Sequence, residues 1–310
     1  MPVTFASIPG LPRSLSGSML VVGALALALL ALAAGVPLSG GMATAIACLA
    51  LLVFGLPHGT LDLEIIRAQQ AGPWTGMVTL VLLYLGLAAA MYGLWRAEPV
   101  LALGAFIAIA AAHFSEDWDG AGPVILRAGL ALALLAAPTL LHRAELDAIF
   151  IGLTDRAGAS AVTDGLMLVL PVAVGLGLIA IAALWQAGRR DQAIGGLAAL
   201  TGMLILPPIV GFALYFCLFH SPRHFRESLL TLKWRGVATW GWVVVPLTLA
   251  AGAIGVLVFG LEIRAAMPDR IMAASFMTLS ILTVPHMLVP PMIAALSRLR
   301  HPHTLKTETA

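Results

Sequence analysis

Apolar residues occupy long runs of this chain, and short polar breaks separate the runs. The run that begins at Leu20, LVVGALALALLALAAG, shows no alternation of apolar and polar positions. A helix needs about 20 mainly apolar residues to cross a ~30 Å hydrocarbon core, whereas a β-barrel strand alternates over about ten residues. The pattern therefore predicts membrane-spanning helices, in ten segments: 17–34, 42–68, 75–95, 99–118, 122–141, 165–187, 193–206, 209–232, 237–261 and 271–297.

The seventh segment is short and ends at two prolines, Pro207 and Pro208. It is either a separate short span or one half of a helix that is broken before the eighth segment. The count is therefore eight to ten transmembrane helices. The predicted fold is an all-α, polytopic integral membrane helical bundle.

The polar breaks predict how the chain is organised around these spans. The longest break, 142–164, is rich in Asp, Arg and Gly and is predicted to be an extramembrane loop. Residues 298–310 form a polar C-terminal tail, and no second soluble domain is indicated, so 1–310 is predicted to be a single transmembrane domain. Arg13 and the apolar run after it resemble a signal peptide, but the length of the run favours an uncleaved first helix.

Lys and Arg are more frequent between segments on the side that carries both termini. The positive-inside rule then places both termini in the cytoplasm of a multi-pass protein of the inner (plasma) membrane.

Composition supports membrane insertion and excludes other classes of protein. The chain is 60% hydrophobic and 10% charged, with a mean hydropathy of +0.99, whereas soluble domains carry about 25% charged residues. A net charge of +2 over 310 residues provides no electrostatic footprint for nucleic acid. Only two cysteines are present, which excludes a disulfide framework and disfavours a cysteine zinc site.

Five of the eight histidines fall inside predicted helices. An ionisable side chain at membrane depth indicates function, although a single buried histidine is often a satisfied core residue. These five lie on even-numbered segments, which cross the bilayer in the same direction, at similar distances from the helix starts. We therefore expect their rings at similar depth, as one site with several histidines requires. The five are His58, His113, His220, His224 and His286.

Spacing strengthens the case for a metal site. His220 and His224 are four residues apart and share one helix face, so both imidazoles can bind one metal ion. Asp62 and Asp117 follow His58 and His113 by four residues, and Glu116 follows His113 by three. Such carboxylates can accept a hydrogen bond from the outer ring nitrogen and so aim the ligand. The alternative is that these charges lie at helix ends in water.

Arg223 and Glu227 are also four residues apart, and the spacing predicts an ion pair on a different face of the same helix.

A ligand set made only of histidines does not identify the metal. Imidazole suits zinc, copper, iron and nickel, and the lack of cysteine ligands argues against an iron–sulfur cluster. A haem held by two histidines is also compatible with the residue types.

Four short motifs resemble the Brp/Blh family of membrane β-carotene 15,15'-dioxygenases, in the order of that family. They are FGLPHGTLD (54–62), HFSEDW (113–118), FHSPRH (219–224) and VPHM (284–287). The resemblance implies a membrane iron(II) oxygenase that cleaves β-carotene with O₂ to retinal. By the same resemblance the metal-binding histidines are His58, His113, His220 and His224, with His286 as a further site residue.

This activity suits the membrane setting, because β-carotene dissolves in membrane lipid and can enter a site at membrane depth from the side. Apolar residues such as Phe114, Tyr215 and Phe216 are candidates for the substrate walls. An acceptor of the product, such as a retinal-binding opsin, is a partner that the sequence does not identify.

Two alternatives use the same histidines. One is another membrane metallo-oxygenase, such as a desaturase or hydroxylase with two metal ions, although those enzymes need more histidine ligands than one H-x-x-x-H motif and three isolated residues. The other is a metal or proton transporter, which the nearly apolar segments one, three, six and nine disfavour.

Overall fold

The computed structural model describes residues 17–69, 74–231 and 267–300, with a few positions between 245 and 255. Within these ranges the side chains are described for 17–55, 78–79, 81–227 and 270–288 and for those few positions. The helices are α1 Gly17–Ala33, α2 Gly41–Gln69, α3 Trp74–Ala97, α4 Pro99–Phe114, α5 Val124–Ala136, α6 Pro138–Leu141, α7 Arg143–Ile151, α8 Arg156–Gln186, α9 Arg190–Ile205, α10 Pro208–Tyr215, α11 Ser221–Thr231 and α12 Met267–Arg300. A 3₁₀ segment, Ser115–Ala121, follows α4, and a π-helical segment, Phe216–His220, joins α10 to α11.

Every regular element in these ranges is helical, which confirms the prediction of an all-α membrane bundle. Four helical stretches in the described part of the chain are long and apolar enough to cross a membrane: Pro99–Ala121, Val124–Leu141, Arg156–Gln186 and Arg270–Leu288. Shorter apolar helices cover Gly17–Ala33, Gly41–Gly55 and Val81–Ala97. The count of eight to ten spans stays a prediction, and the predicted segment 237–261 lies almost wholly outside the described residues.

The predicted extramembrane loop over 142–164 is mostly helical, and its position outside the membrane stays a prediction. This stretch contains α7 and the first turns of α8, which begins 9 residues before the predicted start at 165. Leu146, Ile149 and Phe150 form a buried stripe at helical spacing, and the Asp155 carboxylate caps α8 by accepting a hydrogen bond from the Gly158 amide at 2.7 Å. Three of the charged residues that suggested a loop lie on α7 outside its buried stripe, with 27–47% of each side chain exposed.

The two prolines after the seventh predicted segment end one helix and begin the next, so α9 and α10 are separate helices. Proline lacks the amide hydrogen that a continuing helix needs, and it fits the first turn of α10. The backbones of these two helices approach closely, because a Cβ on Gly211 would lie 2.9 Å from the Gly202 carbonyl oxygen. Small residues allow such close packing between helices in membranes.

The two cysteines and the predicted C-terminal tail also have places in this fold. Cys48 and Cys217 are both buried among apolar residues, with 0% and 5% of their surface exposed. α12 extends to Arg300, so residues 298–300 of the predicted tail are helical, and 301–310 lie outside the described residues.

Candidate metal centre

Three of the predicted histidines lie together inside the bundle. His113 is on the last turn of α4, His220 ends the π-helical segment, and His224 follows one turn later on α11. One ligand atom from each lies within 4.8 Å of the others. The ring centroids are 4.7 Å apart for His113 and His220 and 4.5 Å apart for His220 and His224. His113 and His220 are almost completely buried, at 3% and 0% exposed.

A fourth histidine borders this group from α12. The ring centroid of His286 lies 5.2 Å from that of His113, in an edge-to-face arrangement. Imidazoles from α4, the π-helical segment, α11 and α12 therefore lie together.

His58 and Asp62 lie on α2, but their side chains are outside the described residues. The helix itself packs against α10, α11 and α12, which carry or adjoin the other histidines. Gly55, one turn before His58, lies against the site: a Cβ there would be 2.9 Å from Phe216 and 3.0 Å from Leu279. The role of His58 as a fourth ligand stays a prediction.

Asp117 contacts two of the histidines and has no exposed surface. Its Oδ2 accepts hydrogen bonds from His220 Nδ1 at 2.9 Å and from the Tyr215 hydroxyl at 2.6 Å. Its Oδ1 lies 3.3 Å from His224 Nε2. The spacing of four residues predicts His113 as the partner of Asp117, whereas in the structure Asp117 contacts His220 and His224.

The 3₁₀ segment explains this difference. In a 3₁₀ helix residues three apart lie above one another, whereas an α-helix aligns residues three and four apart. Glu116, three residues after His113, accordingly has its Oε2 3.6 Å from His113 Nδ1, and this carboxylate is 55% exposed. Asp117 is turned inward toward α10 and α11 instead.

The π-helical segment explains why Tyr215 and His220 reach the same oxygen. Its i→i+5 hydrogen bonds bring residues five apart onto one face, which a regular α-helix does not do. Residues five apart, such as Tyr215 and His220, do not share a face of an α-helix, so the sequence predicts Tyr215 only as a candidate wall residue. Single π-helical turns are frequent at functional sites.

A polar clamp, formed by Gln192 and Arg223, holds the 3₁₀ segment in place. The carbonyl oxygen of Asp117 accepts hydrogen bonds from Arg223 Nη1 at 2.7 Å and from Gln192 Nε2 at 3.0 Å. Asp119 Oδ1 accepts from Arg223 Nη2 at 3.0 Å and from Gln192 Nε2 at 2.9 Å. The predicted pair of Arg223 with Glu227 is confirmed, with Nε 3.1 Å from Oε1. The remaining donors of Arg223 fix the segment that presents Asp117.

Aromatic rings surround the inner part of the cluster. Phe114 lies edge-on to His220 at 4.8 Å, and Phe216 stacks on His220 at 5.2 Å. Phe219 stacks on Trp118 at 5.0 Å, away from the histidines. The site thus combines nitrogen donors that suit a first-row transition metal with apolar rings around His220.

Comparison with known proteins assigns the chain to a family. The sequence profile of β-carotene 15,15'-dioxygenase matches residues 49–293. The chain belongs to the β-carotene 15,15'-dioxygenase family. The matched region of this family member runs from α2 to α12 and includes all five histidines predicted inside helices. The resemblance stated from the four sequence motifs is therefore confirmed.

Two curated relatives in this dioxygenase family cover most of the chain. The β-carotene 15,15'-dioxygenase of uncultured marine bacterium 66A03 is 29% identical over 78% of this chain and 90% of the relative. The probable β-carotene 15,15'-dioxygenase Blh of Halobacterium salinarum is 29% identical over 89% of this chain and 92% of the relative. No solved structure matches the chain.

Proposed function

We propose that this protein is a membrane-bound iron(II) dioxygenase that cleaves the central 15,15' double bond of β-carotene to give two molecules of retinal. The observation that carries the proposal is the convergence of His113, His220 and His224 within a family of this activity. In the reaction both bonds of the central double bond break, and each carbon receives one oxygen atom of O₂. The atoms balance without an added proton or reductant.

The donor set fits a divalent iron ion. Because the Asp117 carboxylate accepts a hydrogen bond from His220 Nδ1, a neutral His220 carries its lone pair on Nε2, the nitrogen available to a metal. His113 and His224 supply two further imidazoles, His58 is the proposed fourth ligand, and His286 lies beside the group. Bound Fe(II) would supply the oxygen chemistry that side chains alone lack.

The protein's own residues orient the ligands and exclude water. Asp117 restrains His220 and His224 together, and Tyr215 holds Asp117. Phe114 and Phe216 make the inner wall apolar, which suits a hydrocarbon substrate. The overall reaction neither consumes nor releases a proton, so its stoichiometry requires no catalytic acid or base.

The proposal includes the location of the protein. A multi-pass protein of the inner membrane, with both termini in the cytoplasm, would take its substrate directly from membrane lipid. The product retinal would then pass to an acceptor such as a retinal-binding opsin.

Expression in a host that accumulates β-carotene tests the activity. We expect the wild type to bleach the host and produce retinal. In hosts that express His113→Ala, His220→Ala or His224→Ala, we expect the β-carotene colour to persist and the purified protein to lack bound iron. His142→Ala is the matched control, since His142 contacts Glu145 and the Ile205 carbonyl outside the cluster.

A host that stays coloured, with wild-type protein present and iron supplied, would contradict the proposal. Metal analysis of the purified protein separates the alternatives. About one iron per chain is expected of a single-metal site with four ligands, whereas two per chain would indicate a di-metal oxygenase. Metal flux in proteoliposomes would indicate a transporter.

A further inference from the structure

An apolar cavity lies between α4 to α10 and α12, and its lining begins one turn before His113 on α4. Every side chain that lines it is apolar. Its walls include Leu103, Phe106 and Ala110 from α4, Phe212 from α10 and Phe276 from α12. Binding sites for small molecules are typically concave and mostly apolar, with few polar groups. This cavity therefore has the character expected of a hydrocarbon site.

The cavity runs along α4 away from the cluster. Ala110 lies one turn before His113, and Leu103 is the lining residue of α4 farthest from it. At a rise of about 1.5 Å per residue, Leu103 lies roughly 15 Å from His113 along the helix axis. This is the scale of one half of a carotenoid, an extended conjugated chain with a ring at its end.

A series of aromatic rings connects the cavity with the cluster. Phe276 stacks on Phe212 at 6.0 Å, Phe212 on Phe216 at 5.5 Å, and Phe216 on His220 at 5.2 Å. The interplanar angles are 30°, 26° and 26°, so the four rings form one stacked row from Phe276 to His220. Phe276 and Phe212 line the cavity, so a conjugated chain bound there would contact the row of rings that ends at His220.

Close packing of α4 on α8 limits the cavity beyond Leu103. Val100 lies one turn before Leu103, and a Cβ on Gly158 would be 2.3 Å from Val100 Cγ2. The starts of α4 and α8 therefore touch at this level. Leu153, in the turn that precedes α8, lines the cavity and is buried.

We propose that this cavity binds one half of the carotenoid lengthwise, and that the distance from its end at Leu103 to the histidine cluster selects the central double bond. The inference rests on the proposed carotenoid cleavage. When the end ring of a symmetric substrate reaches Leu103, the midpoint of the polyene lies at His113. Either half of β-carotene can occupy the cavity, because the two halves are identical. Cleavage at the midpoint then gives two products of the same length.

Changes at Leu103 test this measuring role. Leu103→Ala deepens the cavity and lets the polyene slide inward, whereas Leu103→Phe shortens it and holds the polyene outward. Both variants should yield pairs of carbonyl products, aldehydes or ketones, of unequal length. We expect the ratio of these unequal products to retinal, measured by chromatography, to rise about tenfold, which corresponds to ~1.4 kcal/mol.

Leu184→Ala is the matched control, because Leu184 is fully buried on α8 but does not line the cavity. It should form retinal alone. If Leu103→Phe does not accumulate as folded protein, Leu153→Phe fills the same end of the cavity from the turn before α8. Retinal as the sole product of Leu103→Ala and of a folded filling variant would overturn the inference.

Binding to metal-free protein gives a readout that does not depend on turnover. β-Carotene bound in the cavity should show induced circular dichroism, and Leu103→Phe should weaken its binding about tenfold relative to Leu184→Ala. Equal binding by these two variants would also count against the cavity as the substrate site. A wild type that forms no aldehyde would instead refute the proposed function, so the two failures are distinguishable.

Discussion

Asp117 shows how one buried residue can organise the candidate metal centre. A carboxylate without solvent is costly unless it is hydrogen-bonded or paired, and Asp117 contacts Tyr215, His220 and His224. These contacts compensate its burial and fix the directions of two imidazoles at once. Asp117 is therefore a positioning residue for the cluster.

Asp117→Asn tests this role, because it keeps the shape of the side chain and removes its charge. We expect iron affinity to fall by about 10- to 100-fold, as is typical when the partner of a ligand is lost. Competition with a chelator would measure the change in affinity, independently of activity.

Glu116→Gln is the matched control for Asp117→Asn. Glu116 is the next residue in the chain, but its side chain is 55% exposed and its carboxylate is 3.6 Å from His113. We expect a much smaller change in iron affinity. Equal losses in the two variants would show that Asp117 has no special role.

At the level of secondary structure, two irregular helical segments determine which side chains meet at the site. Ser115–Ala121 is wound more tightly than an α-helix, and Phe216–His220 is wound more loosely. Together they direct Asp117, Tyr215 and His220 to one point, although α-helical spacing predicts other partners. Sequence periodicity assumes regular helices, which is why the pairing of Asp117 was wrong and the contact of Tyr215 was missed.

The close approach of α9 and α10 gives a prediction about stability. Gly211→Ala would place a Cβ 2.9 Å from the Gly202 carbonyl oxygen and force the two helices apart. We expect a loss of about 1–3 kcal/mol, as for overpacking in a core. Thermal unfolding in detergent would measure it.

Gly165→Ala provides the matched control in α8, because nothing lies within 4 Å of its added Cβ. At this position alanine loses less backbone entropy on folding than glycine does, so the substitution should stabilise the helix by about 0.5–1 kcal/mol. The two substitutions should therefore change the unfolding temperature in opposite directions. A shift of the same sign would contradict the close packing of α9 against α10.

At the scale of the whole molecule, the histidine cluster joins helices that are distant in the chain. His113 lies on α4, His220 and His224 lie around the start of α11, and His286 lies on α12. A metal ion bound between them would hold these elements together. Ligands that bind only the folded state stabilise it in proportion to the logarithm of their concentration.

Iron should therefore raise the unfolding temperature of the protein. At a free concentration about 100 times its dissociation constant, the expected stabilisation is ~2.7 kcal/mol. Chelation should reverse the shift, and His220→Ala should show no response to iron. If iron did not change the unfolding temperature of the wild type, this result would contradict a metal site between these helices.

The sequence by itself determined the all-α membrane fold and the candidate ligands. Long apolar runs have few alternatives to helices in lipid, because every backbone polar group must be satisfied internally. His113, His220 and His224 were identified from their depth and motifs, and the fold brings them together. The helix α7 was missed, because its amphipathic face is short and interrupted by charges.

Only the tertiary structure decided which groups support the ligands and where an apolar cavity lies. The partners of Asp117 come from residues about 100 positions away, and the walls of the cavity come from several helices. Such contacts depend on how irregular turns rotate side chains and on how helices pack. Local spacing along the chain contains neither kind of information.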